Sequence, residues 1–187
     1  MKKKVHFDWL APWYDKIFKP PSREELEYLL QLPTSGWLLD VGGGTGRVTS
    51  SLVGLVQGVV VLDLSMGMLH QARLKSALFP VRAKAESQPF PPHTFARILM
   101  VDTFHHLEDQ KRALEEILRL LVPGGMLMIE EPNFRHPLVK FIALFERLAG
   151  MNSHFVYEEE IERTLKWMGY TPECRKEGVI IRIFVRK

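Results

Sequence analysis

The run Leu38-Leu39-Asp40-Val41-Gly42-Gly43-Gly44-Thr45-Gly46 constrains this chain more than any other stretch. It reads as a buried strand closed by an acidic residue, followed by a glycine-rich turn that opens a helix over Arg47-Val48-Thr49-Ser50-Ser51-Leu52. In open α/β sheets such a turn sits just beyond the carboxyl end of a strand, where ligands collect. Glycine suits the position because it lacks Cβ and accepts positive φ, so backbone can approach a ligand closely. The spacing is D-x-G-x-G-x-G, whereas the dinucleotide fingerprint is G-x-G-x-x-G. Counted from Gly42 and Gly44, the third glycine of that fingerprint would fall at Arg47.

The remainder alternates strands and helices as a largely parallel sheet requires. Gly58-Val59-Val60-Val61-Leu62-Asp63 is a near-continuous β-branched run, the pattern of a strand buried on both faces. It ends in Asp63, about twenty residues past the glycine turn. A carboxylate there can accept hydrogen bonds from both hydroxyls of a ribose. The plainer reading is an acid at the N-terminus of the next helix, which Leu64-Ser65-Met66 opens and which should run over 66–77. Residues 95–102 form a fourth strand, placing Val101 and Asp102 at the ligand-side end of the sheet. Asp109 caps a helix over 111–121, in which Leu114, Ile117, Leu118 and Leu121 make one stripe. Pro123-Gly124-Gly125 breaks that helix, and residues 126–131 are a fifth strand. Upstream, Ser22 and Glu25 have capping-box spacing and open a helix over 23–32. Downstream, Glu158-Glu159-Glu160 starts a helix that ends at Gly169. Residues 170–176 and 179–186 read as a hairpin turning at Glu177-Gly178.

Two apolar stretches frame this core. In residues 5–18, Trp9, Trp13 and Ile17 share helical spacing with Leu10, Tyr14 and Phe18, which predicts an amphipathic helix packed on the domain or lying as a lid over its pocket. Leu138, Phe141, Ile142, Phe145 and Leu148 repeat the pattern, as core packing or as one wall of an apolar substrate pocket.

With 187 residues the chain fits a single domain spanning 1–187, with 1–35 as a helical cap and 132–157 as a substrate-side insertion. Apolar residues make up 46% and charged residues 25%, an ordinary balance for a globular protein. A formal charge of +3, clustered only at Lys2-Lys3-Lys4, is too slight to argue for nucleic acid. The lone Cys174 excludes an intramolecular disulfide framework and a cysteine-rich metal site. The start is too polar for a secretory signal, and no stretch approaches the roughly 18 apolar residues of a membrane span. A soluble cytoplasmic protein is expected.

D-V-G-G-G-T-G after an apolar strand resembles motif I of the class I S-adenosylmethionine-dependent methyltransferases. Further segments follow in that family's order. Phe7-Asp8-x-x-Ala11-x-x-Tyr14-Asp15 resembles the entry segment of methyltransferases related to ubiquinone and menaquinone biosynthesis. Leu64-Ser65-x-x-Met68-Leu69 is similar to the continuation after the second-strand acid. Ala85-Glu86 before Pro89-Phe90 resembles the third-strand exit, although Lys84 stands where Asp is common. Thr103-Phe104-His105-His106-Leu107-Glu108-Asp109 is similar to the H-H-L-x-D segment of small-molecule methyltransferases, and L-x-P-G-G-x-L-x-I completes the series.

The resemblance implies a three-layer α/β/α, Rossmann-like fold with a mostly parallel seven-stranded sheet and an antiparallel last strand. It implies S-adenosylmethionine as cofactor and a small-molecule acceptor, aromatic or lipid-like, methylated by in-line displacement. In it Asp40 would anchor the methionine amino end, while Gly42, Gly44 and Gly46 would make room for the cofactor and Asp63 would hold its ribose. Tyr14 would approach the methionine end, Met68 would pack near the adenine, and Ala85, Glu86 and Val101 would complete the cofactor contacts. A general base is optional, with His105, His106 and Asp102 as candidates. Paired histidines invite a metal reading, but no ligand cluster at metal-site spacing accompanies them, so no metal is expected.

Other classes fit less well. A nicotinamide oxidoreductase shares the strand, turn and acid, but Arg47 breaks its glycine pattern. Base methylation in nucleic acids calls for [D/N/S]-P-P-[Y/F] where this chain has Asp102-Thr103-Phe104-His105, or for a nucleophilic cysteine. An RNA methyltransferase is favoured only by the mild positive charge. A cofactor-binding module without turnover keeps the same loop.

Overall fold

The computed structural model describes residues 20–137, 139 and 157–187. The helix expected over 5–18, including Tyr14, lies outside the described residues, as does the apolar face expected over 138–148. In chain order the elements are α1 (Arg23–Leu30), β1 (Trp37–Val41), a 3-10 turn (Thr49–Leu52), β2 (Gly58–Asp63), α2 (Met66–Arg73) and β3 (Leu78–Arg82). Then come β4 (Phe95–Val101), a second 3-10 turn (Phe104–His106), α3 (Gln110–Leu120), β5 (Leu121–Pro132), α4 (Glu158–Trp167), β6 (Glu173–Glu177) and β7 (Ile180–Arg186).

The strands form a seven-stranded sheet in the order β3-β2-β1-β4-β5-β7-β6. Strands β1 to β5 pair in parallel, and β7 runs antiparallel to both β5 and β6. The order reverses between β1 and β4, which makes the crevice over their carboxyl ends the topological switch point where ligands bind in such sheets.

Alternation along the strands builds two cores. Leu39, Val41, Ile98, Met100, Leu127 and Ile129 face α3 and α4 through Leu114, Ile117, Ile161 and Leu165. Leu38, Val59, Val61, Leu99 and Met128 face α1 and α2 through Leu26, Leu30 and Leu69. Successive side chains of a strand point to opposite faces, so each apolar run feeds both layers. The expected α/β/α arrangement follows.

Several boundaries differ from the sequence reading. The helix expected straight after the glycine turn is only a 3-10 turn. There Ser50 and Ser51 donate their hydroxyls back to the carbonyls of Arg47 and Val48, at 3.4 and 3.0 Å. Such local bonds compete with the helical ladder. Helix α2 stops at Arg73 rather than residue 77, and Ala77 adopts a left-handed φ of 63°. The Pro123-Gly124-Gly125 segment does not separate helix from strand. It lies within β5, where the pairing with β4 shifts register and Gly124 turns at φ 73°. Ser22 accepts from Glu25 N at 3.1 Å, as a capping box requires. The Glu25 carboxylate, however, reaches Arg182 instead of returning to the cap.

Arg182 is the charged centre of the antiparallel side. Its guanidinium bonds Glu130, Glu177 and Glu25, each at 2.6 Å, and its side chain is buried together with that of Glu130. Removing one partner of such a pair leaves the other buried and uncompensated. Arg182→Met is expected to cost about 3–5 kcal/mol in urea unfolding with an unchanged denaturant slope.

Candidate active site

The glycine loop leaves β1 over the switch point, and its conformation is set from both flanks. Gly42, Gly44 and Gly46 all have positive φ, at 69°, 57° and 69°. At Gly42 a Cβ would lie 2.2 Å from the Thr103 methyl group, so the absent side chain lets the loop after β4 close against the loop after β1. Thr103 Oγ1 lies 3.2 Å from the Gly42 carbonyl and 3.0 Å from that of Val101. On the other flank the amides of Gly42 and Gly43 donate to Leu62 O at 2.7 and 3.2 Å. Gly44 N donates to Asp63 Oδ2 at 3.0 Å, and Ser65 N to Asp63 Oδ1 at 2.7 Å. Ser65 in turn caps α2 by accepting from Met68 N at 3.1 Å. Behind the loop, Lys75 Nζ donates to Thr45 O at 2.8 Å.

Asp40 lies beneath the loop. Only 2% of it is exposed, its Oδ2 accepts from Thr49 Oγ1 at 2.7 Å, and a Cβ on Gly43 would meet its carboxyl carbon at 2.4 Å. Burial pushes its pKa up to about 6, against the opposing effects of the Thr49 hydroxyl and Arg47. Met68 is buried beside this loop, with its sulfur 3.8 Å from where a Gly44 Cβ would sit.

The β3 exit falls at the far side. Ala85 is buried, and its carbonyl accepts from Gln88 Nε2 at 3.0 Å. Glu86 Oε1 accepts from the amides of Glu108 and Asp109, at 3.1 and 3.3 Å, so this carboxylate organises the entry to α3. Lys84, in the place where Asp is common, forms a surface pair with Glu108.

Above β4 and β5 the wall is built on Glu131. This buried carboxylate accepts Thr103 N at 2.9 Å and Phe104 N at 2.7 Å through Oε1, and its Oε2 meets His105 Nδ1. With a carboxylate as acceptor, Nδ1 carries the proton. His105 is 4% exposed, its ring centroid lies 3.9 Å from that of His106, and its neighbour on the other side is Phe134. Burial, helped by the charge of His105, lowers the pKa of His106 to about 3, so His106 is neutral near pH 7.

Asp102 is the accessible member of the three candidates for a base. Its backbone is left-handed, at φ 51°, and its side chain remains 46% exposed. Desolvation by its concave surroundings, with the charges of Glu131 and Glu130, nonetheless raises it to about 6, while Arg47 and His105 act in the opposite direction. Arg47 reaches from the glycine loop to place NH2 3.3 Å from Asp102 Oδ2, with its own side chain 9% exposed.

The structure therefore brings Asp40, Gly42, Gly44, Gly46, Asp63, Met68, Val101 and Asp102 together over the carboxyl ends of β1, β2 and β4. It sets Ala85 and Glu86 at the β3 exit, and His105 and His106 in the wall. Sequence reasoning missed Glu131, Thr103, Lys75 and the reach of Arg47. Adjacent acids closing the apolar run of β5 were a usable signal for Glu131; Lys75 carried no local one. Among the described residues no group of three His, Cys, Asp or Glu could hold a metal, and no helix is long and apolar enough to cross a membrane.

A loop of this geometry on this sheet defines a Rossmann-like methyltransferase fold. Residues 39–129 match the family described as a methyltransferase domain. The chain is 32% identical over 155 residues to the 2-phytyl-1,4-naphtoquinone methyltransferase of Thermosynechococcus vestitus, covering 75% of this chain and 68% of that protein. It is 35% identical over 113 residues to the ubiquinone/menaquinone biosynthesis C-methyltransferase UbiE of Escherichia coli, covering 55% of this chain and 44% of UbiE. A SAM-dependent methyltransferase from Thermotoga maritima superposes with a TM-score of 0.77 at 22% identity over 97% of both chains. One from Aquifex aeolicus gives 0.73 at 20% identity, covering 99% of this chain and 98% of that one. The chain belongs to the class I S-adenosylmethionine-dependent methyltransferases, in the group related to the quinone-biosynthesis enzymes.

The buried acid beneath the loop has a measurable signature. A carboxyl whose folded pKa lies above its unfolded value binds more protons when folded, so stability falls as pH rises through the interval between them. For Asp40 that window runs from its ordinary 3.8 to about 6. Asp102 contributes a slope of the same sign, so the wild type must be compared with a variant. Asp40→Asn is expected to flatten the loss of stability between pH 4 and 6 by about 2–3 kcal/mol, measured by urea unfolding at intervals of pH.

Proposed function

We propose that this protein binds S-adenosylmethionine over the glycine loop and methylates a small aromatic acceptor of the quinone or quinol type. The observation that carries the reading is the Asp63 carboxylate. It stands at the end of β2, bonded to Gly44 N of a loop that turns at three glycines of positive φ. A Cβ at Gly44 would meet nothing closer than the Met68 sulfur at 3.8 Å, which fits a cradle for a ligand lying against backbone.

In this reading Asp63 holds the ribose, and Met68, Ala85 and Val101 line the adenosine. Glu86 keeps the adjoining loop in place and meets the adenine from there. Gly42, Gly44 and Gly46 let the backbone lie close to the cofactor, and Asp40 supports the loop from below, reaching the methionine end through it. Tyr14 is assigned to the same end on the family resemblance alone. When bound, the cofactor supplies an electrophilic methyl group for direct in-line transfer. The chain supplies orientation and exclusion of water. His105, locked by Glu131, and neutral His106 act as wall, and Asp102 is the candidate group with an exposed carboxylate to offer a ligand. The quinone-type acceptor rests on the names of the two curated relatives, UbiE being matched over less than half its length.

The test is calorimetric titration with S-adenosylmethionine and S-adenosylhomocysteine, with NADH in parallel, followed by methyl transfer to a reduced naphthoquinone lacking the ring methyl. Binding of the first two, lost in Asp63→Ala by about 100-fold, is the expected outcome, since the substitution removes a charged acceptor from ribose and loop together. Binding of NADH alone would overturn the reading. Binding without transfer to the naphthoquinol would leave the cofactor assignment standing and remove the acceptor.

A further inference from the structure

We infer that Lys75 is a positioning residue for the cofactor, fixing the peptide plane between Thr45 and Gly46 at the crest of the glycine loop. This rests on the cofactor reading above and gives a duty in ligand binding to a side chain that the reading leaves out.

The first argument is the plane itself. Lys75 Nζ donates to Thr45 O at 2.8 Å and lies 3.5 Å from Thr45 Oγ1. At the other end of the same peptide unit, Gly46 N donates to Gly43 O at 2.8 Å. A peptide unit is rigid, so bonds at its carbonyl and at its amide together hold its orientation. Gly44 and Gly46, on either side of Thr45, both have positive φ, at 57° and 69°. Glycine accepts either sign of φ, so a unit next to it turns over at little steric cost unless something holds it. Turned over, this one would lose both bonds and change the groups that the loop offers to a ligand.

The second argument is the attachment of the segment that carries Lys75. Helix α2 is tied to the loop at its start through Asp63, which accepts from both Gly44 N and Ser65 N. It is tied again beyond its end. There Lys75 takes Thr45, and Leu78 packs so near Gly46 that a Cβ would lie 2.4 Å from Leu78 Cδ1. Two successive loop residues thus meet one short stretch, by a charged bond and by an apolar contact. Thr45 is 1% exposed, so water is a poor substitute for the lysine at its carbonyl. Leaving a buried acceptor unpaired is costly.

The third argument is the charge. A neutral donor would serve a lone carbonyl; the ammonium does more. Asp40, buried beneath the loop, lies in the field of Arg47 from the loop, Lys75 from beyond α2 and Asp63 from β2. Lys75 acts with Arg47 against the desolvation of that acid. The lysine therefore braces the loop at its crest and eases the buried charge at its foot.

Two measurements separate a positioning role from a general structural one. The first is amide hydrogen exchange followed by NMR on the protein without ligand. In Lys75→Met, which keeps the stem and drops the ammonium, Gly46 N–H is expected to lose about 10-fold or more of its protection. The amides of Gly42 and Gly43, which donate to Leu62 O, should stay within about 3-fold and so certify the fold. The second is calorimetry with S-adenosylhomocysteine at pH 7.5. Lys75→Met should weaken binding by about 10-fold, the worth of one bond to a charged donor, and Lys75→Arg should restore most of it. If Lys75→Met does not fold, Lys75→Gln carries both measurements, with losses in the same direction. Unchanged affinity, or lost affinity with Gly46 protection intact, would overturn the assignment. So would equal loss of protection at all three glycines, or a Lys75→Arg variant as weak as Lys75→Met. Wild-type protein that binds no S-adenosylhomocysteine would defeat the cofactor reading, and the role in binding with it, whatever the exchange shows.

Discussion

One carboxylate ties the site to the sheet. Asp63 ends β2 and spends one oxygen on Gly44 N and the other on Ser65 N, so the glycine loop and the start of α2 are held by the same side chain. Without it, a loop with three left-handed glycines would carry a large conformational freedom. Lys75 on Thr45 and the Leu62 carbonyl under Gly42 and Gly43 complete the restraint. Rigidity here matters because orienting reactants is the main service that a methyl transfer asks of the chain. The loop is therefore a preformed backbone surface, held from below and from both sides.

A second organising layer lies across the crevice, and it is made of buried acids. Glu130 and Glu131 are neighbours on β5 and face opposite sides of the sheet, as the pleat dictates. Glu130 holds Arg182 and through it the antiparallel strand β7. Glu131 gathers two amides and an imidazole from the turn after β4. Burying a carboxylate is tolerable only when hydrogen bonds and charges repay its desolvation, and both sites do so fully enough to serve as anchors. One dipeptide thus fixes the C-terminal edge of the sheet and one wall of the candidate site.

What was legible in the sequence was local. The glycine spacing after β1, the β-branched run of β2 with its terminal acid, and the Ser22 and Asp109 caps each declare themselves within a few residues. The mostly parallel seven-stranded sheet and its antiparallel last strand came with the family resemblance. Less was legible where distant partners decide. Nothing near Lys75 announces that it crosses 30 residues to the loop, and the partnership of Glu131 with His105 joins segments 26 residues apart. The helix expected after the loop gave way to a 3-10 turn because Ser50 and Ser51 bond their own backbone. Glu86 carries a further duty, since its carboxylate accepts from the amides of Glu108 and Asp109, and no pattern of residue types reveals it.

The sheet order also bears on how the chain assembles. Strand β7 slots between β5 and β6, so this edge of β5 stays open until β7 has been made. That edge offers unpaired amides along Met126-Leu127-Met128-Ile129, a run of apolar side chains with no charge until Glu130. Exposed apolar edges of this kind template pairing with other chains. During synthesis the nucleotide-type half of the sheet can close early, while β5 waits with its sticky side uncovered. Pairing with β7 covers that edge, and Arg182 secures the strand on Glu130.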